Sequence, residues 1–412
     1  MGRPVPLQPK GRPVVVGLQP VALIDHVARV DWSLLQDIPG ERGGSLRVTE
    51  EEVVRILEEV KEHTIPTPGS EVIKVLAGGS VANTIRGLSG GLKVPCSIVG
   101  ARGDDDLGQM FQQNLEQAGV DLSSLRVSSG STGQCVCLVD EDGNRTMRPC
   151  LSDASHLRAE EITRDDFKGA KWVVLNGYGF YWPDLTEKAV ELAKQEGARV
   201  ALDLASFEVV RRSRPRLLKL LESHKIDLCF ANEDEARELM KSEGLESPEE
   251  CLEFLGNFVE TAVVMLGPKG CIARHGKEVT RVAAIQGIKA IDTTGAGDLF
   301  ACGFLYGMIN GLSLEACCKV GCCTGAGVVL GLGGEIDSAA WDWVYTQLQQ
   351  HHLPVRENII KSSQMLRQES PQLIFMPSSI LFMDICGQKS ATTKTGFDNP
   401  QDIDSDADPQ PN

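Results

Sequence analysis

Between residues 172 and 265 the chain repeats one pattern. "KWVVLNG", "RVALDLA", "IDLCFAN" and "TAVVMLG" are short, continuous apolar runs. Runs of this length and composition read as buried strands. "PDLTEKAVELAKQEG" spaces its apolar residues for one helical face and stops at Gly197, and helices fill the chain through Leu221. "EDEARELMKSEG" opens with acids in its first turn, as the helix dipole favours. Strands apolar on both faces, separated by helices, describe a doubly wound, mostly parallel α/β sheet. Nearer the start, "VVVGLQPVALI" (residues 14–24) reads as one more buried strand.

Residues 126–150 break this rhythm. They read as two strands joined by the turn "DEDGN", and a hairpin is foreign to a doubly wound core. With strand-like pieces near 25–31 and 71–76, it predicts a small β-sheet lid over one edge of the main domain. The helix predicted over 49–64 lies between these pieces, and Thr49 followed by Glu52 is a capping box. One domain is expected over 14–353. The extension 354–412 ends in "TGFDNPQDIDSDADPQPN", which is acidic, proline-containing and aperiodic, so disorder is expected there.

Composition narrows the partners. The 412 residues are 42% apolar and 24% charged, which is ordinary for a globular chain. A net charge of -16 opposes a broad nucleic-acid surface but leaves room for a local phosphate pocket. "LIFMPSSILFMDI" is too short and too interrupted to span a bilayer. The basic start "MGRPVPLQPKGRPVVVGLQP" has neither serine nor an apolar helical face, so a cytoplasmic location is expected, with a plastid left open. Thirteen cysteines raise the question of metal. Cys317, Cys318, Cys322 and Cys323 share one helix face and lack metal-ligand spacing, so they read as small buried hydrophobes. Cys135 and Cys137 point to one side of a strand and read as core.

The stretch "DTTGAGD" (residues 292–298) carries candidate chemistry. Unpaired amides at a helix start, approached over Gly295, Ala296 and Gly297, form an anion hole. Asp298 follows in the first turn, where the dipole favours its ionised form. A carboxylate beside an anion hole suits phosphoryl transfer to an alcohol. A tight strand-to-helix turn with a dipole-compensating acid explains the same residues without chemistry. The chain has no GxxxxGK[ST] loop and no HRD or DFG set, which excludes P-loop enzymes and protein kinases.

"DTTGAGDLFACGF", with "AGGSVANTIRGL", "GARGDDDLG", "STGQCVCLVDEDGNRTM", "FANEDEA" and "VVMLGPKGCIA" in this order, resembles the ribokinase-like, or PfkB, family of carbohydrate and nucleoside kinases. The resemblance implies an ATP- and Mg2+-dependent enzyme with Asp298 as catalytic base and Gly295, Ala296 and Gly297 as anion hole. It implies that Asn232 and Glu235 organise water around magnesium and the phosphates, and that ATP lies against Gly267 and Gly270. Gly78, Gly79 and Asn83 resemble the acceptor-binding loop, and Asp25 the carboxylate that grips two hydroxyls. Asp292 resembles a support for the loop or for a potassium ion. Asp104, Asp105 and Asp106 resemble a structural segment. Some family members pair their lids, which leaves a homodimer open.

The expected acceptor is a small molecule. "AGGSVANTIR", the helix 49–64 and Tyr178, placed where a base would stack, resemble adenosine kinases. Two features depart from them: "PVALID" lacks their asparagine before the acid, and Thr294 stands where they often have asparagine. A free-sugar kinase and a non-catalytic scaffold of the same fold remain the alternatives. Arg145 either meets a charged group or pairs with an acid of the lid.

Overall fold

A computed structural model describes residues 13–353, apart from 66–70, 242–243 and 245–246. The extension 354–412, expected to be disordered, lies outside the described residues. The chain opens with β1 (Val15–Gln19) and β2 (Leu23–Arg29), two strands where the pattern over 14–24 predicted one. Pro20 follows β1 directly and has no N–H to continue a ladder, so the two strands enter different sheets. Then come α1 (Trp32–Asp37), α2 (Glu50–His63), β3 (Lys74–Ala77), α3 (Ser80–Arg86), β4 (Cys96–Gly103), α4 (Asp106–Gln117) and β5 (Leu125–Ser128). The hairpin is β6 (Gly133–Val139) and β7 (Arg145–Cys150).

Alternation begins at β8 (Trp172–Asn176) and runs through α5 (Pro183–Gln195), β9 (Arg199–Asp203), α6 (Phe207–Glu222), β10 (Leu228–Asn232), α7 (Glu233–Met240), α8 (Pro248–Leu255) and β11 (Thr261–Met265). A second hairpin, β12 (Cys271–His275) and β13 (Glu278–Val282), precedes α9 (Ala296–Ile309), α10 (Leu314–Val328) and α11 (Ser338–Gln350).

Nine strands form one sheet in the order β13-β12-β11-β10-β9-β8-β1-β4-β5. Pairing is parallel from β11 to β5 and antiparallel at β12 and β13. Side chains alternate between two faces. Val15, Val174 and Phe230 pack with Ile85, Phe111, Phe304 and Val344, under α3, α4, α9 and α11. Val16, Val173 and Val264 pack with Leu185, Leu217, Leu239 and Leu252, under α5 to α8.

A second sheet has the order β3-β2-β6-β7. Val136 and Leu138 pack against Val53, Ile56 and Val60 of α2, while Cys135, Cys137 and Val139 meet Val27, Leu76 and Leu332 on the other face. The start of 126–150 does not join it. Residues 126–128 fall in β5, whose partly exposed side chains suit the edge of the large sheet beside β4. The capping box of α2 is reciprocal: Glu52 N donates to Thr49 Oγ1 at 3.2 Å and Thr49 N to Glu52 Oε2 at 2.8 Å.

Candidate active site

The carboxyl ends of β1, β8, β9 and β10 carry Gln19, Asn176, Asp203 and Asn232, and all four line one cavity of about 720 Å³. Strand order turns back between β1 and β8, because β4 and β5 lie on one side of β1 and β8 to β13 on the other. A crevice at such a switch point is where open α/β sheets take ligands. The small sheet adds Asp25, Cys135, Arg145 and Met147 to the lining. Its hairpin turn is tied to the loop before α9: Thr293 N and Oγ1 donate to Gly143 O at 2.9 and 3.0 Å.

Gly295 caps α9 with φ +77°, and a Cβ there would stand 2.7 Å from Gly334 Cα. Both facts require glycine. Gly295, Ala296 and Gly297 line the cavity, and beside them the buried Thr294 hydroxyl has no hydrogen-bond partner among the described residues. Asp298 lies in the first turn of α9. Ser80 Oγ donates to its Oδ1 at 2.6 Å and Asn83 Nδ2 to its Oδ2 at 2.9 Å.

Burial pushes the Asp298 acid above the usual carboxylate range, while those two hydrogen bonds, Arg145 and Arg86 pull it back. The expectation that the helix start favours its ionised form is corrected here: desolvation outweighs the donors.

Asp25 is raised to about 7 by burial, opposed by Arg86 and reinforced by Asp298 and Asp292. Gly78 stands behind it, and a Cβ at Gly78 would lie 2.2 Å from the Asp25 carboxylate. Gly79 and Asn83 line the cavity; Gly78 does not. Asn83 is already engaged, giving Nδ2 to Asp298 and accepting from Arg86 Nη2 on Oδ1 at 2.6 Å.

At the β10 end, Asn232 and Glu235 hold each other. Glu235 N donates to Asn232 Oδ1 at 2.9 Å, and Glu235 accepts from Asn232 N at 2.8 Å and Nδ2 at 2.7 Å. Burial raises both Glu235 and Asp203. Asp203 escaped the sequence reading, although a buried strand ending in an acid at the carboxyl edge of a parallel sheet is a usable signal. Arg145 forms no ion pair among the described residues, yet its charge acts on Asp203, Glu235 and Asp298. Gly267 and Gly270 line the same cavity.

Tyr178 follows β8 in a short 3-10 turn. Its ring lies parallel to Tyr181 at 6.5 Å, and Arg212 stands 4.5 Å over Tyr181. Tyr178, Tyr181 and Trp182 all line the cavity. Asp105 accepts from Gly108 N at the start of α4 and from Thr132, a structural engagement. Asp292 is fully buried and accepts from Thr294 N and Gly333 N, both at 2.7 Å. The cysteines of α10 are buried. Cys135, read from sequence as core alone, also lines the cavity, because β6 turns that face toward Asp25.

A doubly wound sheet, a small covering sheet and a buried acid on a glycine-capped helix are the parts of a ribokinase-like enzyme. Residues 58–341 match the model of the pfkB family carbohydrate kinases, and the chain belongs to that family. It is a kinase, and kinases of this family use ATP. The chain is similar to an ATP-dependent ribose-1-phosphate kinase of Halopiger xanaduensis, 31% identical over 238 residues that cover 55% of this chain and 72% of that one. Adenosine kinase 2 of Arabidopsis thaliana is 24% identical over 273 residues, 61% of this chain and 77% of the relative. The crystal structure of adenosine kinase from Sinorhizobium meliloti superposes with a TM-score of 0.72 at 29% identity, covering 79% of this chain and 96% of that one. Among the described residues no helix is long and apolar enough to cross a membrane.

Proposed function

We propose that the protein transfers the γ-phosphoryl group of ATP to a primary hydroxyl of a nucleoside, with Asp298 as base. Asp298 accepts the proton of the acceptor hydroxyl. The hydroxyl oxygen bonds to the phosphorus, the bond from that phosphorus to the β-phosphate oxygen breaks, and ADP leaves. Ser80 and Asn83 fix the carboxylate for this step. The amides of Gly295, Ala296 and Gly297 and the free Thr294 hydroxyl receive phosphoryl oxygens. Arg145 balances their charge, and Asp25 grips the acceptor hydroxyls.

Asp203, Asn232 and Glu235 offer oxygen ligands, a set that suits Mg2+ held largely through water. Magnesium bound there would neutralise phosphate charge. The small sheet, tied down by Thr293 on Gly143, acts as a lid that keeps solvent from the phosphoryl group. The domain of this kinase spans 14–353.

One observation carries the choice of acceptor: Tyr178, Tyr181 and Trp182 line the same cavity as Asp25 and Asp298. Flat aromatic faces suit a planar nucleobase better than the puckered ring of a free sugar. A phosphorylated acceptor fits less well. Asp25, Asp142, Asp203, Glu233, Asp234, Glu235 and Asp298 line the cavity, against Arg145 as the one cationic side chain among the described residues.

The test is ADP release with MgATP across adenosine, inosine, guanosine, uridine, cytidine, ribose, ribose 1-phosphate, fructose and myo-inositol. Turnover on one or more nucleosides is expected. Turnover on ribose or fructose alone would replace the nucleoside reading with that of a sugar kinase. Folded protein that binds ATP and turns over none of these would favour the scaffold.

A further inference from the structure

Asp25 forms a cluster of metal-ligating side chains with Cys135 and Cys137, two thiols that the phosphoryl-transfer chemistry does not use. Strands β2 and β6 run parallel in register, with Asp25 beside Cys135 and Val27 beside Cys137. Side chains two apart on a strand share a face, so both thiols and the carboxylate point the same way. Their ligand atoms all lie within 4.8 Å of one another, and the three residues are at most 6% exposed. Asp25 and Cys135 border the cavity, which gives a cation a way in and leaves a coordination position open.

The spacing is informative. The Cys135 and Cys137 sulfurs are 3.7 Å apart. With zinc–sulfur bonds of about 2.3 Å, two thiolates of a tetrahedral site stand about 3.8 Å apart. The pair is therefore already set at the edge length of a zinc tetrahedron. Asp292 lies within electrostatic reach of both Asp25 and Cys137 and adds negative charge.

We propose that Cys135, Cys137 and Asp25 bind a thiophilic divalent cation of the zinc class, with a fourth position facing the cavity, and that this cation inhibits the kinase by occupying the Asp25 carboxylate. Each thiol releases its proton to solvent as its sulfur takes the metal. The binding part stands on the cluster alone; the inhibitory part rests on the reading of Asp25 as an acceptor ligand.

The test uses the full chain, reduced with TCEP, and Co2+ as a spectroscopic probe. Wild type is expected to show a thiolate-to-cobalt charge-transfer band and tetrahedral d–d bands. Cys135→Ser and Cys137→Ser should each weaken Co2+ binding at least about tenfold. Cys322→Ser removes a different cavity-lining thiol and should leave the spectrum unchanged. Thermal melts confirm that each variant is folded. Zn2+ should inhibit wild type, measured against its own zinc-free rate, and should inhibit folded Cys137→Ser at least tenfold less potently.

Absence of the band in wild type, or its full survival in Cys137→Ser, would overturn the site. A band that depends on Cys137 and is displaced by adenosine supports both parts. A band that depends on Cys137 but ignores every nucleoside the enzyme turns over supports the metal site and overturns the inhibitory part.

Discussion

Asn83 Nδ2 donates to Asp298 Oδ2 at 2.9 Å across 215 residues of sequence. The bond joins the first helix after the small sheet's β3 to the helix that carries the proposed base. Asn83 also accepts from Arg86, so its amide is fixed on both ends and cannot turn away from the carboxylate. A residue expected to touch the acceptor also holds the group expected to react with it.

Asp298→Asn should separate chemistry from folding. Asparagine can accept from Asn83 on its oxygen and donate its amide N–H to the Ser80 hydroxyl, which can turn to accept, so the fold should persist, while turnover falls by about a thousandfold or more. Stability should move the other way. The Asp298 acid is raised in the folded state, so folding binds a proton more tightly and the group favours folding at low pH. That contribution is lost as pH rises from the ordinary carboxylate value through the raised one. At neutral pH the ligand-free variant should therefore melt at or above the wild-type temperature, with a flatter dependence on pH. Near-native turnover in the variant would remove Asp298 as base.

Asn83→Ala deletes one donor to the ionised form of Asp298. Because that donor lowers the acid's pKa, its loss should push the acidic limb of the pH–rate profile upward. We expect kcat to fall roughly ten- to a hundredfold at pH 7, with less change at higher pH, consistent with a loss of about 1.5–3 kcal/mol for a hydrogen bond to a charged group. Asn83→Asp, which places a second carboxylate against Asp298, should be worse than alanine. An unshifted acidic limb in the alanine variant would reduce Asn83 to a packing residue.

The sheet was legible because "KWVVLNG", "RVALDLA", "IDLCFAN" and "TAVVMLG" are apolar on both faces, and only a covered parallel sheet tolerates that. The helix start at Gly295 was legible because "DTTGAGD" sets small residues before an acid, and the structure requires the glycine, by its φ and by Gly334. Three things were hidden. The break at Pro20 lay inside an otherwise continuous apolar run. Asp203 looked like an ordinary strand end, although Gln19, Asn176 and Asn232 share its position on neighbouring strands and line the same cavity. The role of Asn83 was hidden because its partner is on a distant helix, and periodicity carries no such information. Burial also reversed the expected sign at Asp298, since helix-start reasoning counts the amides but not the solvent lost.

Gly78→Ala tests the support of Asp25. The new Cβ would lie 2.2 Å from the carboxylate carbon, too close for any rotamer adjustment of the alanine. Asp25 or the loop before α3 must shift. KM for the acceptor should rise at least about tenfold, as loss of a bidentate hydrogen-bonding group would predict. Binding of ATP, measured by calorimetry without acceptor, should change little, because Gly267 and Gly270 belong to other elements. Equal weakening of both ligands would mean that the substitution disturbs the whole cavity.

Tyr178 decides between a base and a sugar. Its ring is parallel to Tyr181, which is in turn covered by Arg212, so the two tyrosines form a supported wall. The Tyr178 hydroxyl makes a long contact, 3.4 Å, to Ala205 O and also bonds the Ser45 side chain. Tyr178→Phe keeps the face and loses only these contacts within the protein, so KM for the nucleoside should stay within about twofold of wild type. Tyr178→Ala removes the face. Stacking of a base on an aromatic ring is worth about 1–3 kcal/mol, so KM should rise from fivefold to about a hundredfold. The loss should be confined to nucleosides: residual turnover on ribose, where measurable, should not respond, because a free sugar has no base to stack. A Tyr178→Ala variant with unchanged KM for its best nucleoside would leave the aromatic wall without a role in binding, and the acceptor would then have to be sought among sugars held by Asp25 and the backbone of Gly79.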